Sequence, residues 1–448
     1  MTMLWEGDEL ARAVGAASSG FAVSGISIDT RTVKPGDLFV ALQGARDGHD
    51  FVAEALAKGA AGALVSKPMS GNVLVVEDTL AALRRLGAAA RARTSARIVA
   101  VTGSVGKTTT KEMLRRTLGG FGVVHAAEAS FNNHIGVPLT LARMPRDVDF
   151  AVFEIGTNHP GEIAPLAALV RPQVAIITCV DRAHLGLMGS EAAIAVEKAS
   201  IFTALAPGGT AVLPADTVHD AVLRAAVPAG ARIVAFGEQG AARLMAVESR
   251  AESCAVQAEI GGERVAFSLA APGAHMARNA VAVLAAASAL GLPVAPAAAA
   301  LDGFAPYAGR GARRDMALPD GARILLLDES YNASGASMRA ALAVLALQPG
   351  RHVAVLGDML ELGDAAAAEH EGLRPDVLAG ADLVFTCGEM MRRLFDTLPA
   401  AQRGGHEEAA SDLAPLVMEA LRQGDAVLVK GSYGSRMRDV IAVLEGRG

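Results

Sequence analysis

Apolar and polar positions along the chain switch between a period of two and a helical period, and the switches mark out its elements. Short apolar runs at residues 37–42 (DLFVAL) and 73–76 (VLVV) predict buried strands. Between them, residues 50–58 carry apolar positions at helical spacing until Gly59. Residues 79–96 (TLAALRRLGAAARARTSA) are helix formers and predict a linking helix. A buried strand at 98–101 (IVAV) leads into a turn holding Gly103 and Gly106, then a helical pattern from Lys107 to about Gly119. The runs at 150–155 and 174–180 predict further buried strands, and 139–143 and 190–205 predict helices. From residue 208 to 269 the runs shorten. Val256, Ala258 and Ile260 alternate with polar residues, Gly261-Gly262 turns, and Val265, Phe267 and Leu269 alternate back, which predicts a β-hairpin. An alanine-rich helix over 280–292 follows, headed by Asn279. Beyond Gly309-Arg310-Gly311 the chain alternates strands (323–327, 352–356, 382–386, 426–429) with helices starting near Ser337, Ala365, Glu389, Ala409 and Ser435.

This order predicts an α/β protein of three domains. Residues 1–84 form a small N-terminal α/β domain. Residues 85–312 form a central P-loop ATPase-like domain with a mostly parallel sheet and extra antiparallel strands. Residues 313–448 form a C-terminal Rossmann-like doubly wound domain. The 448-residue length fits three cores. Hydrophobic residues at 52% with 4% aromatics suit a helix-rich α/β protein. The longest apolar stretch stops at Gly291-Leu292-Pro293, short of a membrane span, and the acidic start MTMLWEGDEL lacks a secretory design, so a cytoplasmic protein is expected. A net charge of −6 without a basic block argues against nucleic acid as the main partner. The three cysteines, Cys179, Cys254 and Cys387, have no metal-ligand spacing and read as reduced core thiols.

Candidate chemistry collects at strand ends. Strand, Gly103-Ser104-Val105-Gly106, Lys107-Thr108-Thr109 and helix make a nucleotide phosphate cradle. Glycines let N–H groups approach phosphate, Lys107 supplies a point charge, and Thr108 stands where such loops place a hydroxyl on Mg2+. Val101 occupies the first glycine of the longer consensus, leaving the shorter G-x-x-G-K-T. Glu154 ends a buried strand, where a carboxylate is costly without a cation, and it reads as a metal ligand. His184 follows another core strand and reads equally as ligand or as structural histidine. Lys198, on a helix, reads by pattern alone as a solvated face. The turns Asp29-Thr30-Arg31 and Asp47-Gly48-His49-Asp50 could hold a polar ligand that sequence physics does not name. Polar residues also end three strands of the last domain: Asp328 to Asn332, Asp358 with Glu361, and Lys430 with Ser432.

Taken together, these stretches resemble the Mur ligase family over essentially the full length. The resemblance is carried by DTR, PGDLFVAL and DGHDF in the first domain. In the centre it is carried by TGSVGKTTTKEM, NNHIGVPLTL, FEIGTNHPGEIAPL, Ala183-His184 and GAHMARNA. In the last domain it rests on DESYNASGASMRAAL, LGDMLELG with His370, and LVKGSYGSRM. KTTTKEM, NHPGEI and GDMxELG together resemble the branch that joins D-alanyl-D-alanine to UDP-N-acetylmuramoyl-tripeptide. The resemblance implies an ATP-dependent, Mg2+-assisted amide-forming ligase working through an acyl phosphate, with those small molecules as partners and a monomeric state. It implies catalytic roles for Lys107, Glu154, His184 and a carbamylated Lys198, and metal contacts from Thr108, Glu154 and His184. Asn279, Arg310 and Asp328 would join the phosphate loop in binding ATP. Asp29, Thr30, Arg31, Asp47 and His49 would serve the UDP-sugar, and Asn332, Asp358, Glu361, Lys430 and Ser432 the peptide or dipeptide.

The chain departs from the family pattern at Glu329, at Ser334-Gly335 where a proline is usual, at Ala199-Ser200 and at Tyr433. The alternatives are a sibling Mur ligase, a folylpolyglutamate synthetase-like ligase, or a P-loop phosphotransferase or NTPase without ligation.

Overall fold

A computed structural model describes residues 3–17, 20–128, 130–307 and 309–446. Four short strands, β1 (Gly25–Ser27), β2 (Asp37–Val40), β3 (Gly62–Val65) and β4 (Val73–Val75), form a parallel N-terminal sheet in that order. The two predicted strands are its second and fourth members. β1 (GIS) and β3 (GALV) carry only one and two large apolar residues, against three each in β2 and β4, so neither stands out as an apolar run.

The linking helix spans Thr79–Ala92, four residues shorter than its pattern. Asp78 starts it by accepting the N–H groups of Leu80 and Ala81 at 2.8 and 3.0 Å. Position 84 lies inside this helix, whose Leu83, Leu86 and Ala90 pack with Trp5, Leu10 and Val14 of the first domain and with Leu139 and Ala142 of the helix Gly136–Ala142. The indole N–H of Trp5 donates to the Ala142 carbonyl at 2.9 Å, and the Arg93 guanidinium lies 3.4 Å from the centre of its ring. One core therefore serves both sides of the first junction. Leu139→Ala should cost about 2–5 kcal/mol through the cavity it leaves. A urea midpoint equal to that of the parent would contradict a shared core.

The central sheet has nine strands: β5 (Arg97–Thr102), β6 (Val124–Ala126), β7 (Phe150–Glu154), β8 (Val174–Ile177), β9 (Thr210–Pro214), β10 (Arg232–Gly237), β11 (Ala242–Ser249), β12 (Cys254–Ile260) and β13 (Glu263–Leu269). Their spatial order is β13-β12-β11-β10-β9-β8-β5-β7-β6, parallel from β6 across to β11 and antiparallel at its β11-β12-β13 end. The predicted hairpin is β12–β13, with Gly261 and Gly262 at φ 60° and 85°, as a tight two-residue turn requires. Alternate side chains sort to the two faces. Val99, Val101, Phe150 and Val152 join the core under the helices Lys107–Gly119 and Ala274–Ala289, while Ile98, Ala100, Ala151 and Phe153 join the core on the opposite face. Continuing that alternation puts Glu154 on the phosphate-loop side. The alanine-rich helix starts six residues before its predicted beginning, so Asn279 sits inside it rather than at its head.

The last domain holds β14 (Ala312–Ala317), β15 (Arg323–Glu329), β16 (His352–Gly357), β17 (Leu383–Cys387), β18 (Arg403–Glu407) and β19 (Ala426–Lys430), in the order β14-β15-β19-β16-β17-β18. The expected parallel sheet is present with two additions: β18 extends it in parallel at one edge, and β14, at the other edge, runs antiparallel to β15. Its sequence ARRDMA is polar and half-exposed, as an edge strand tolerates, so no apolar run announced it. β15, β19 and β16 are neighbours, with Glu329 opposite Lys430 and Leu356 opposite Lys430, so the three polar strand ends do share one side.

Candidate active site

The phosphate loop is built against the end of β8. Gly103 has φ 150°, and a Cβ there would fall 1.8 Å from the Thr178 hydroxyl. Gly106 has φ 82°, and a Cβ there would lie 3.0 Å from the Asn279 amide. Ser104 locks the loop, its hydroxyl donating to the Asp181 carbonyl at 2.7 Å and its N–H to the Cys179 carbonyl at 3.0 Å. The helix Lys107–Gly119 has glycine as its N-cap, which leaves its first N–H groups without a side-chain acceptor. The Lys107 ammonium rests on the Gly103 and Ser104 carbonyls at 2.7 and 3.2 Å. Desolvation lowers its pKa from the ordinary lysine value, opposed by the Glu154 charge and reinforced by that of Arg310.

Glu154 is 2% exposed. Its Oε1 accepts the Asn132 amide at 2.7 Å, while its Oε2 is buried with no hydrogen-bond partner. A buried carboxylate oxygen left open is what a cation requires. Among the described residues no three His, Cys, Asp or Glu side chains converge as a metal cage. The donor set fits an ion held by one carboxylate, hydroxyls and substrate phosphate, which is how Mg2+ is usually held.

Lys198 is 2% exposed, on the helix Glu191–Ala199. Burial, and then the charge of Lys107, push its pKa down to about 7. The solvated-face reading of this lysine is thus overturned: the helical pattern did not reveal that the polar residue faces inward. His184 stands just before the short helix Leu185–Met188, at φ 61°, with Nδ1 hydrogen-bonded to Glu361 of the last domain. Burial lowers its pKa, against the effect of Glu361 and with that of Lys107 and Lys198.

The residues expected at the ATP side of the domain junction lie close together. Arg310 reaches Ser130 at 3.1 Å, Ser130 lies 3.4 Å from the Thr108 hydroxyl, and the guanidinium stacks 4.0 Å over the Tyr331 ring. The Asp328 carbonyl accepts the Gly311 N–H at 2.9 Å, and its carboxylate holds the Ser330 hydroxyl at 2.7 Å. A cleft of 640 Å³ opens here, lined by Thr108, Thr109, Glu112, Ser130, Arg310 and Tyr331 among others.

The remaining candidates are engaged locally. Asp29 and Arg31 pair with each other at 2.6 Å, and the Thr30 carbonyl accepts Lys58 at 2.9 Å. His49 is buried, its Nε2 accepting the Ser66 N–H at 2.9 Å and its Nδ1 2.6 Å from Asp47. The His49 backbone N–H, 3.0 Å away, and then that ring contact hold the Asp47 pKa at about 2. His49 therefore orients Asp47 and has no ring nitrogen left for a ligand. Asp358 accepts the N–H groups of Met390 and Met391 at 3.3 and 2.7 Å, at the start of the helix Glu389–Thr397. Ser432 accepts the Leu360 N–H at 2.9 Å, the Asn332 carboxamide oxygen accepts the Ala333 N–H at 2.9 Å, and Lys430 reaches Glu329 at 3.3 Å and the Asn332 carbonyl at 3.0 Å. Sequence reasoning gave no role to Asn132, Ser130, Tyr331 or Asp181, whose buried Oδ2 also lacks a partner. Their signal lay in being neighbours of named residues.

Three family models match in succession: the Mur ligase family catalytic domain over residues 22–130, the Mur ligase middle domain over 101–287, and the Mur ligase glutamate ligase domain over 316–433. The UDP-N-acetylmuramoyl-tripeptide–D-alanyl-D-alanine ligase of Escherichia coli K12 is 36% identical over 432 residues, 94% of each chain. The chain belongs to the Mur ligase family. Solved Mur ligases share its whole architecture. MurF from Acinetobacter baumannii superposes with a TM-score of 0.88 at 31% identity, covering 99% of this chain and all 100% of that one. MurF from Thermotoga maritima, solved in complex with ADP, gives 0.80 at 27% identity, covering 94% of this chain and 97% of that one. The match runs through all three domains, so the likeness is not confined to the nucleotide-binding part.

Proposed function

We propose that this Mur ligase joins D-alanyl-D-alanine to UDP-N-acetylmuramoyl-tripeptide at the expense of ATP, giving UDP-N-acetylmuramoyl-pentapeptide, ADP and phosphate for peptidoglycan precursor synthesis. The observation that carries this reading is the 36% identity to the E. coli ligase over 94% of both chains. The chemistry then follows from the site. The tripeptide carboxylate attacks the γ-phosphorus of ATP and ADP leaves. The amine of the dipeptide adds to the acyl phosphate, and phosphate leaves as the amide forms. Two anions must meet, so cations are needed at the meeting point. Lys107 moves from the loop carbonyls to the phosphates, while the N–H groups of its helix face them. Glu154 through its open oxygen, Thr108 and His184 would hold Mg2+, which supplies charge neutralisation to the phosphates.

Lys198 enters as a carbamate. With burial holding its pKa down to about 7, the neutral amine is far more abundant at pH 7 than for an ordinary lysine. That amine adds to CO2, forming an N–C bond and releasing a proton, and a buried cation becomes an anion near Lys107. Asn279, Arg310 and Asp328 bind the nucleoside side. Asp29, Thr30, Arg31 and Asp47 serve the UDP-sugar, with domain boundaries at 84 and 312. Asn332, Lys430 and Ser432 serve the peptides. We take the enzyme as a cytoplasmic monomer; among the described residues no helix is long and apolar enough to cross a membrane. Phosphate release should require ATP, tripeptide and dipeptide together. The lysine and diaminopimelate tripeptides run in parallel would identify the acceptor. Release from ATP with neither peptide, at the same rate, would instead indicate a simple NTPase.

A further inference from the structure

The junction between the central and last domains converges on one histidine. His184 Nδ1 meets the Glu361 carboxylate, which belongs to the loop after β16. Among the described residues four non-glycine residues have positive φ, and His184 at 61° and Glu361 at 64° are two of them. Side-chain-bearing residues enter this region only when their surroundings impose it. Here the surroundings are a backbone clamp. The Gly186 N–H donates to the Glu361 carbonyl at 2.8 Å. A Cβ on Gly186 would sit 2.6 Å from the Gly363 nitrogen, so the two loops touch backbone to backbone. Beside the clamp, Arg182 reaches Glu369 of the last domain at 2.7 Å.

We propose that Glu361 is a positioning residue for ligation. Supplied by the last domain, its carboxylate fixes His184 as the Nδ1–H tautomer and leaves the Nε2 lone pair free for the cation that Glu154 and Thr108 would also hold. A carboxylate on one ring nitrogen fixes both the tautomer and the ring orientation at the other. The ring is thus ready only when the last domain is docked on the central one, which ties the chemistry to the domain arrangement. This rests on the reading of His184 as part of the phosphate site, and it moves Glu361 from the dipeptide side to the histidine.

The test uses the full chain with selectively labelled histidine. NMR of the His184 ring, assigned by its loss in His184→Ala, should report the Nδ1–H tautomer in the parent and in Glu361→Gln, whose amide oxygen still accepts. Glu361→Ala should lose that tautomer. Its kcat should fall about 10–100-fold, as removal of such outer partners does, with the dipeptide KM changed less than about 3-fold. Glu361→Gln should stay within about 3-fold of the parent. Gly186→Val, which forces the backbones apart, should reproduce Glu361→Ala. The double variant His184→Ala/Glu361→Ala should be no slower than His184→Ala, since the two act as a unit. Parent-like kcat in Glu361→Ala alongside an inactive His184→Ala would overturn this inference and leave the ligase reading standing. A raised dipeptide KM with the tautomer intact would return Glu361 to the dipeptide. Full activity in His184→Ala would overturn the role of the histidine itself.

Discussion

Lys107→Ala should lower ligation by at least about 100- to 1,000-fold, the usual loss when one preorganised charge stabiliser is removed from a reacting centre. The loop around it is held independently: Ser104 ties it to Cys179 and Asp181, and Thr178 packs against Gly103. The variant should fold normally, because what disappears is a desolvated ammonium resting on two backbone carbonyls that water can satisfy. A thermal midpoint close to that of the parent, with phosphate release lost, is the expected pair of results. Turnover at the parent rate would remove Lys107 from the phosphate site.

Lys198→Ala should cost a comparable factor for a different reason. On the proposed reading the parent would carry a carbamate at this position, and the variant would carry nothing there. High bicarbonate should therefore not restore the variant, whereas a short-chain carboxylic acid diffusing into the vacated space should restore part of the rate. The parent should show a carbamate carbon by NMR after exchange with 13C-bicarbonate, and the variant should lack that signal. The pH dependence has a definite sign. Carbamate forms from the neutral amine, and the amine protonates as pH falls through about 7. Activity should thus decline on the acid side of 7 and recover on return. A variant with the parent rate and no missing carbamate signal would contradict the assignment.

These residues were legible to different degrees, for physical reasons. The phosphate loop could be read because its glycines are demanded locally, by positive φ and by the nearness of Thr178 and Asn279. Glu154 could be read because strand alternation and a strand end fix its position. Lys198 could not be read from its own helix, since its burial comes from tertiary packing and the charge that acts on it, Lys107, lies in another element. Only the family resemblance drew attention to it. The strands that escaped pattern reading have their own reasons. β14 and β18 are polar edges, β1, β3 and β6 carry only one or two large apolar residues each, and β10 begins with two exposed residues. His49 and Asp358 show the reverse case. The resemblance gave them ligand roles, and the structure adds local bonds that the sequence did not show, His49 to Ser66 and Asp47, and Asp358 to the helix start at Met390 and Met391. A sequence displays hydrogen-bonding capacity, whereas its use depends on which elements come to lie beside each other.

The central claim is that a peptide carboxylate, rather than water, attacks ATP at this site. The most direct measurement is isotopic: UDP-N-acetylmuramoyl-tripeptide labelled with 18O in its terminal carboxylate is ligated to D-alanyl-D-alanine, and the released phosphate is weighed by mass spectrometry. Attack by the carboxylate predicts one 18O in each phosphate released and one retained in the new amide carbonyl. Phosphate free of the label, with amide formed or not, would contradict the account.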